Sequence, residues 1–224
     1  MQADAGVEPT EQISDTERAI YGAVTVLEPR TFLDGWVQDG LGSAIREVRF
    51  RSGRIDAVWG LELQDGRSVV VKAHRAPVDL EAATASVDAQ RVLAEAGFPC
   101  PVPLAGPDDV DGRVLTAETL IDGASPDGRN PGIRRLLAHG LARHIEILRT
   151  RPDFVARVGS GPSWCRYQGG PWPVPHDTMV DFSSTVSGYE WLNAFGRRAA
   201  DQILDNRDDD PVVVGHAEIG RAHV

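Results

Sequence analysis

Apolar and polar positions follow two rhythms along this chain. Over 46–51 and 58–63 they alternate in steps of two, and 69–71 is a continuous apolar run; elsewhere they mostly recur at helical spacing. Residues 1–13 are polar without a sustained period and read as a loose tail. Ser14-Asp15-Thr16-Glu17 has capping-box spacing ahead of Ala19, Ile20 and Val24, which predicts a helix from about residue 15 that Pro29 ends. Thr31–Gln38 reads as a further short helical piece closed by Gly40. Arg46–Arg51 and Val58–Leu63 alternate as strands around a Ser52-Gly53-Arg54 turn. Asp65-Gly66 then marks a tight hairpin into a third strand, Ser68–His74. Asp79–Ala96 is alanine-rich, stops at Gly97 and reads as a helix. Phe98–Pro103 has prolines at three positions and predicts a rigid extended connector. Gly112–Thr119 follows as a strand, and Leu120–Gly123 leads out of it.

The second half reads as mostly helical. Pro131 suits a first helical turn, and Ile133, Leu136, Leu137, Leu141, Ile145 and Leu148 keep helical spacing over 131–149. His139 and His144 lie five apart, not at the i, i+4 spacing of a helical metal pair, and read as surface or packing residues. Residues 151–180 are rich in Pro, Gly and aromatics, which predicts a long ordered loop or insertion. Tyr189–Leu204 reads as a helix, and Pro211–Glu218 as a buried strand running into a turn. The sum is an α+β chain: an antiparallel sheet, then helices.

Composition narrows the function classes. The 224 residues, 42% hydrophobic and 25% charged, suit a globular domain or two lobes. No apolar run is long enough to span a membrane, and the N-terminus lacks the features of a signal peptide. Two distant cysteines, Cys100 and Cys165, have no metal or redox spacing and suit a reducing, cytoplasmic setting. A net charge of −10 argues against nucleic acid as the main partner; it suits a cationic substrate, or serves solubility alone. One number changes the picture more. Of 23 basic residues a single one, Lys72, is lysine, and it sits at the end of the apolar run in the third expected strand. Lysine is a compact point charge on a flexible stem, whereas arginine is a planar fork. A lysine ending an apolar strand is how kinases hold ATP phosphates, although a snorkelling edge lysine would look the same.

In order and distance, Val69-Val70-Val71-Lys72, the helix end Leu93-Ala94-Glu95-Ala96-Gly97-Phe98-Pro99-Cys100-Pro101 and Val212-Val213-Val214-Gly215-His216-Ala217-Glu218 resemble the aminoglycoside-phosphotransferase-like family, with its protein-kinase-like fold. The resemblance covers roughly residues 45–218. It implies an antiparallel N-lobe over 14–123 and a helical, incomplete C-lobe over 124–218, with ATP and Mg2+ as cofactors and a small hydroxylated molecule as phosphate acceptor. Lys72 would hold the phosphates beneath the turn Ser52–Asp56. A carboxylate of the following helix, Asp88 first and Glu81 second, seven apart on one face, would orient Lys72. The backbone at Glu118, Thr119 and Leu120 would bind the adenine.

The family's catalytic loop reads His-x-Asp-x-x-x-x-Asn, in which the Asp accepts the acceptor's proton and the Asn holds magnesium. Here His216 matches the His, Glu218 stands at the Asp position and His223 at the Asn position. Ile219–Val224 back-translates, with permitted codons, to a stretch resembling a sequencing adapter. The expectation is therefore a non-native tail at 219–224, an Asp at 218 in the natural protein, and little activity in the chain as it stands. Two other readings stay open: a non-catalytic nucleotide- or partner-binding module of kinase descent, and a generic α+β domain unrelated to nucleotides.

Overall fold

The computed structural model describes residues 12–53, 55–123, 127–158, 188, 190–206 and 213–215. Helix α1 (Asp15–Tyr21) begins at the expected capping box. The Ser14 hydroxyl accepts the Glu17 amide, the Glu17 carboxylate accepts the Ser14 amide, and Gly22 closes the helix at a φ of 64°. Helix α2 (Leu27–Leu41) departs from expectation, because Pro29 lies inside its first turn and Gly40 within its last. A proline in the first turn removes no intrahelical hydrogen bond, so Pro29 opens α2 where the sequence suggested a break. Gly42, in the left-handed region, supplies the stop.

The expected strands fold as read, into β1 (Ile45–Ser52), β2 (Ala57–Leu63) and β3 (Ser68–His74). Helix α3 (Leu80–Glu95), capped by the Asp79 side chain, follows. Two further strands, β4 (Pro103–Val110) and β5 (Arg113–Thr119), complete one antiparallel sheet in the order β1-β2-β3-β5-β4. The sequence did not disclose β4, whose Pro103, Gly106, Pro107 and paired aspartates are poor strand formers. It survives as an edge strand with irregular register, where a missing amide donor costs little. Gly106 has a φ of 79°, and a Cβ there would run into the Leu115 carbonyl, so only glycine fits this crossing.

Alternation gives the sheet two unlike faces. Trp59, Leu61 and Leu63 of β2, Val69, Val71 and Ala73 of β3, and Leu115 and Ala117 of β5 form one core with Tyr21, Leu33 and Val37 of α1 and α2. The other face carries Lys72, His74, Thr116 and Glu118. A second core joins Ala89 and Leu93 of α3 to Leu148 of α4 (Pro131–Arg149) and Phe154 of α5 (Asp153–Arg157). Helix α6 (Glu190–Asn206) is the last regular element described. The predicted insertion begins with α5, and beyond 158 its residues up to 180 lie outside the described residues. Of the predicted strand at 211–218, Val213–Gly215 are described and lie in neither helix nor strand.

One ion pair ties the N-terminal helices to the sheet. Arg51 of β1 passes over the Trp59 ring, 5.0 Å from its centroid, and its Nε donates to Glu17 at 2.8 Å. Glu17 is 3% exposed. Burial pushes its carboxyl up, but hydrogen bonds from Arg51 and Ser14 and the Arg51 charge outweigh that and hold it below the usual range. A carboxyl depressed on folding contributes stability above its unfolded value and loses it as pH falls through the folded value. Glu17→Gln is expected to cost about 3 kcal/mol at pH 7, because Arg51 stays buried without its counter-charge. The loss should shrink as pH falls below about 4. Thermal unfolding of both proteins across that range checks this, and an equal loss at pH 3 and pH 7 would refute it.

Candidate functional site

Lys72 owes its position to strand parity. Its neighbours Val71 and Ala73 are fully buried in the sheet core, so Lys72 must point to the opposite face. There β3 and β5 pair Lys72 with Thr116 and Val70 with Glu118. Glu118 is thus the diagonal neighbour of Lys72, and Lys72 Nζ lies 2.6 Å from Glu118 Oε1. Gln90 of α3 donates from Nε2 to Glu118 Oε2 at 3.0 Å and to the Pro101 carbonyl at 2.9 Å. A polar chain therefore runs from sheet to helix to connector.

The expected partner of Lys72 was a carboxylate on α3, and here the structure differs. Asp88 receives Arg91 at 3.0 Å and Arg157 at 2.8 Å, binding α3 to α5, and Glu81 is exposed in the first turn. Asp88 precedes Gln90 by two residues, about 200° round a helix, so the two face opposite ways. Gln90 stands where an acid was expected, and Glu118, expected to act through its backbone, meets the lysine with its side chain. The parity that places Lys72 also places Glu118; the register that brings them together depends on strand pairing.

At the main chain expected to meet adenine, two of the amides already have partners. The Thr119 amide donates to the Val102 carbonyl at 2.9 Å and the Leu120 amide to the Ser68 carbonyl at 3.0 Å. The Thr119 hydroxyl accepts the Val102 amide at 2.8 Å. These two amides complete the sheet and have no proton left for a base.

At the other end of Lys72's face, the turn between β1 and β2 is tied down. Asp56 accepts the Arg75 amide through Oδ1 at 3.0 Å and lies 3.0 Å from His74 Nδ1 through Oδ2. His74 Nε2 is 3.0 Å from the Thr116 hydroxyl. Burial raises the Asp56 carboxyl, but these hydrogen bonds and the His74 and Lys72 charges together hold it below the usual range.

Between the sheet and the helices lies a cavity of about 490 Å³, bordered by Lys72 and Glu118, by Ser86 and Gln90 of α3, and by Leu137 of α4. Val214 and Gly215 line its far side, Gly215 lying 3.9 Å from Leu141 and 3.8 Å from Ile145 for a Cβ built on it. The two positions expected to carry the chemistry, His216 and Glu218, follow directly in the chain and lie outside the described residues. His144 is buried edge-on to Phe98 at 5.6 Å, and His139 is exposed. No group of His, Cys, Asp or Glu side chains suited to a metal ion occurs among the described residues. No described helix is long and apolar enough to cross a membrane.

Cys100 in the cavity wall reports on this site. Burial pushes its thiol up, and the Glu118 charge pushes it further. Alkylation of Cys100 at pH 7.5, followed by peptide mass spectrometry, should be slower in the folded than in the unfolded chain and faster in Glu118→Gln. A slower reaction in that variant would contradict the assigned electrostatics.

Residues 47–224 match the model of the Phosphotransferase enzyme family, APH. Among solved structures, one described as a fructosamine-3-kinase from Thermobifida fusca YX-ER1 is 20% identical, with a TM-score of 0.40, over 82% of this chain and 64% of that one. Another, described as an aminoglycoside phosphotransferase from Ralstonia eutropha JMP134, is 21% identical, with a TM-score of 0.37, over 58% of this chain and 40% of that one. The chain thus spans less than two thirds of the length of either. A search of curated proteins gave no match. The family match takes in four of the five sheet strands whole and nearly all of β1, together with α3 to α6, and the α+β, protein-kinase-like architecture expected from the sequence agrees with it. The chain belongs to the Phosphotransferase enzyme family.

Proposed function

We propose that this chain serves ATP-dependent phosphoryl transfer to a hydroxyl of a small molecule. The observation that carries the reading is Lys72, the one lysine, held by Glu118 at 2.6 Å on the open face of the sheet beside the cavity. A nucleotide fits the donor set: a compact cation on a flexible stem, next to a cleft with apolar walls. ATP supplies the phosphoryl group. Lys72 neutralises phosphate charge, Glu118 fixes its direction, and Gln90 fixes Glu118. Main-chain groups at the end of β5, over Glu118–Leu120, take the adenine role through atoms other than the bonded amides of Thr119 and Leu120.

By the family motif, His216 supports the catalytic loop and Glu218 is the base. The acceptor oxygen attacks the γ-phosphorus, its proton passes to Glu218, and the bond to the β-phosphate oxygen breaks to release ADP. The family resemblance also implies magnesium, whose ligands it puts in the catalytic loop from the Asn position, here His223, onward, outside the described residues. Glu218 carries one methylene more than the family's Asp, and a misplacement of about 1 Å can cost roughly a hundredfold in rate. That substitution, with His223 at the Asn position, favours a second reading in which the chain binds nucleotide without turning it over. A radiolabelled-ATP assay over amino alcohols, sugars and aminoglycosides separates the two: binding without transfer supports the second.

Lys72→Ala is expected to weaken ATP binding at least about tenfold, a loss of about 1.4 kcal/mol by calorimetry. Lys72→Arg should not restore it, because the planar guanidinium cannot occupy the same space. Unchanged ATP affinity in Lys72→Ala would sink the nucleotide reading.

A further inference from the structure

The hydrogen-bonded chain Asp56–His74–Thr116 has no part in the roles assigned above, yet it starts in the turn expected over the phosphates. An ionised carboxylate only accepts, so His74 Nδ1 donates to Asp56, while Nε2 accepts from the Thr116 hydroxyl in the neutral ring and donates to it in the charged one. The same carboxylate takes the Arg75 amide through its other oxygen. Both oxygens of one turn residue are thus bound to the end of β3, and the imidazole passes the connection on to β5. Thr116 is the register partner of Lys72, and His74 follows Lys72 by two on the same face. The turn itself is tight: Gly53 has a φ of 131°, and a Cβ there would meet the Asp56 carbonyl. The fixed point is therefore Asp56, packed against Gly53, and the place it is fixed to is the strand that carries the phosphate-binding lysine.

We infer that Asp56 and His74 are positioning residues that latch the β1–β2 turn over the phosphate side of the nucleotide site. The inference rests on the nucleotide reading proposed above. Neither residue needs to touch nucleotide. Without the latch the turn must be ordered when the phosphates bind, so affinity falls for ligands that carry phosphates and stays for those that do not. Thr116 completes the latch by holding the second ring nitrogen.

The test is the affinity of wild type, Asp56→Asn, His74→Phe and the double variant for ATP and for adenosine. Amide hydrogen exchange is followed in the same proteins. Each single change should weaken ATP about fivefold or more, and the double change should be no worse than the worse single, as for residues acting through one contact. Adenosine affinity should stay within about twofold. The Arg75 amide should exchange faster while Val70 and Val71 keep their protection. Thr116→Val, which removes one hydroxyl, should show the same ATP-specific loss more weakly and serves if His74→Phe does not fold. Equal losses for ATP and adenosine would overturn the latch, since general destabilisation would explain them. Unchanged ATP affinity in the latch variants, with Lys72→Ala still weakened, would overturn it and leave the nucleotide reading standing. A wild-type chain that binds no ATP would remove that reading and the latch's function together.

Discussion

A lysine and a glutamate on adjacent strands, two residues out of register and on one face, set the geometry of everything around them. Pairs of this kind contribute little net stability, because removing both charges from water offsets most of their attraction. Their value lies in direction. With its side chain 10% exposed and its second oxygen held by Gln90, Glu118 has little freedom, so Lys72 inherits a fixed orientation from the sheet. In the kinase arrangement the orienting carboxylate comes from the helix after the lysine strand. Here that helix supplies an amide and the sheet supplies the charge, so lysine and carboxylate belong to one rigid layer.

The layer is rigid because its other face is buried. Trp59, Val71 and Leu115 are fully enclosed against α1 and α2, and Arg51 with Glu17 closes that side. Helix α3 belongs to the second core, with α4 and α5, and Asp88 serves that union through Arg157. The two cores meet along the cavity, where Gln90 bonds to both the sheet and the connector. Lys72, Glu118 and Gln90 thus stand at the seam between the two cores, a usual location for a ligand cleft.

Much of this was legible in the residues. Period-two patterning gave β1 and β2 to within a residue, and the Asp65-Gly66 hairpin with the apolar run after it gave β3. Ser14 and Glu17 announced their cap, and Asp79 and Gly97 bracketed α3. What escaped reading was pairing between distant segments. Pro103, Gly106 and Pro107 hid β4, and with β4 unread nothing showed that Val102 would occupy the Thr119 amide. Asp88 and Glu81 pointed away from the answer for a related reason: helical spacing shows which acids share a face, and only strand register shows that Glu118 reaches the lysine. Pro29 misled because a proline that starts a helix and one that ends it look alike without the neighbouring caps.

The scarcity of lysine has a chemical consequence. With 22 arginines and one lysine, the chain has a single side-chain primary amine, and the fold sets it 26% exposed at the edge of the cleft. Reagents that acylate or reductively alkylate amines, which scatter over the surface of most proteins, would find one side-chain address here. A dye, crosslinker or affinity handle placed that way would report from the cleft itself, with no engineered residue.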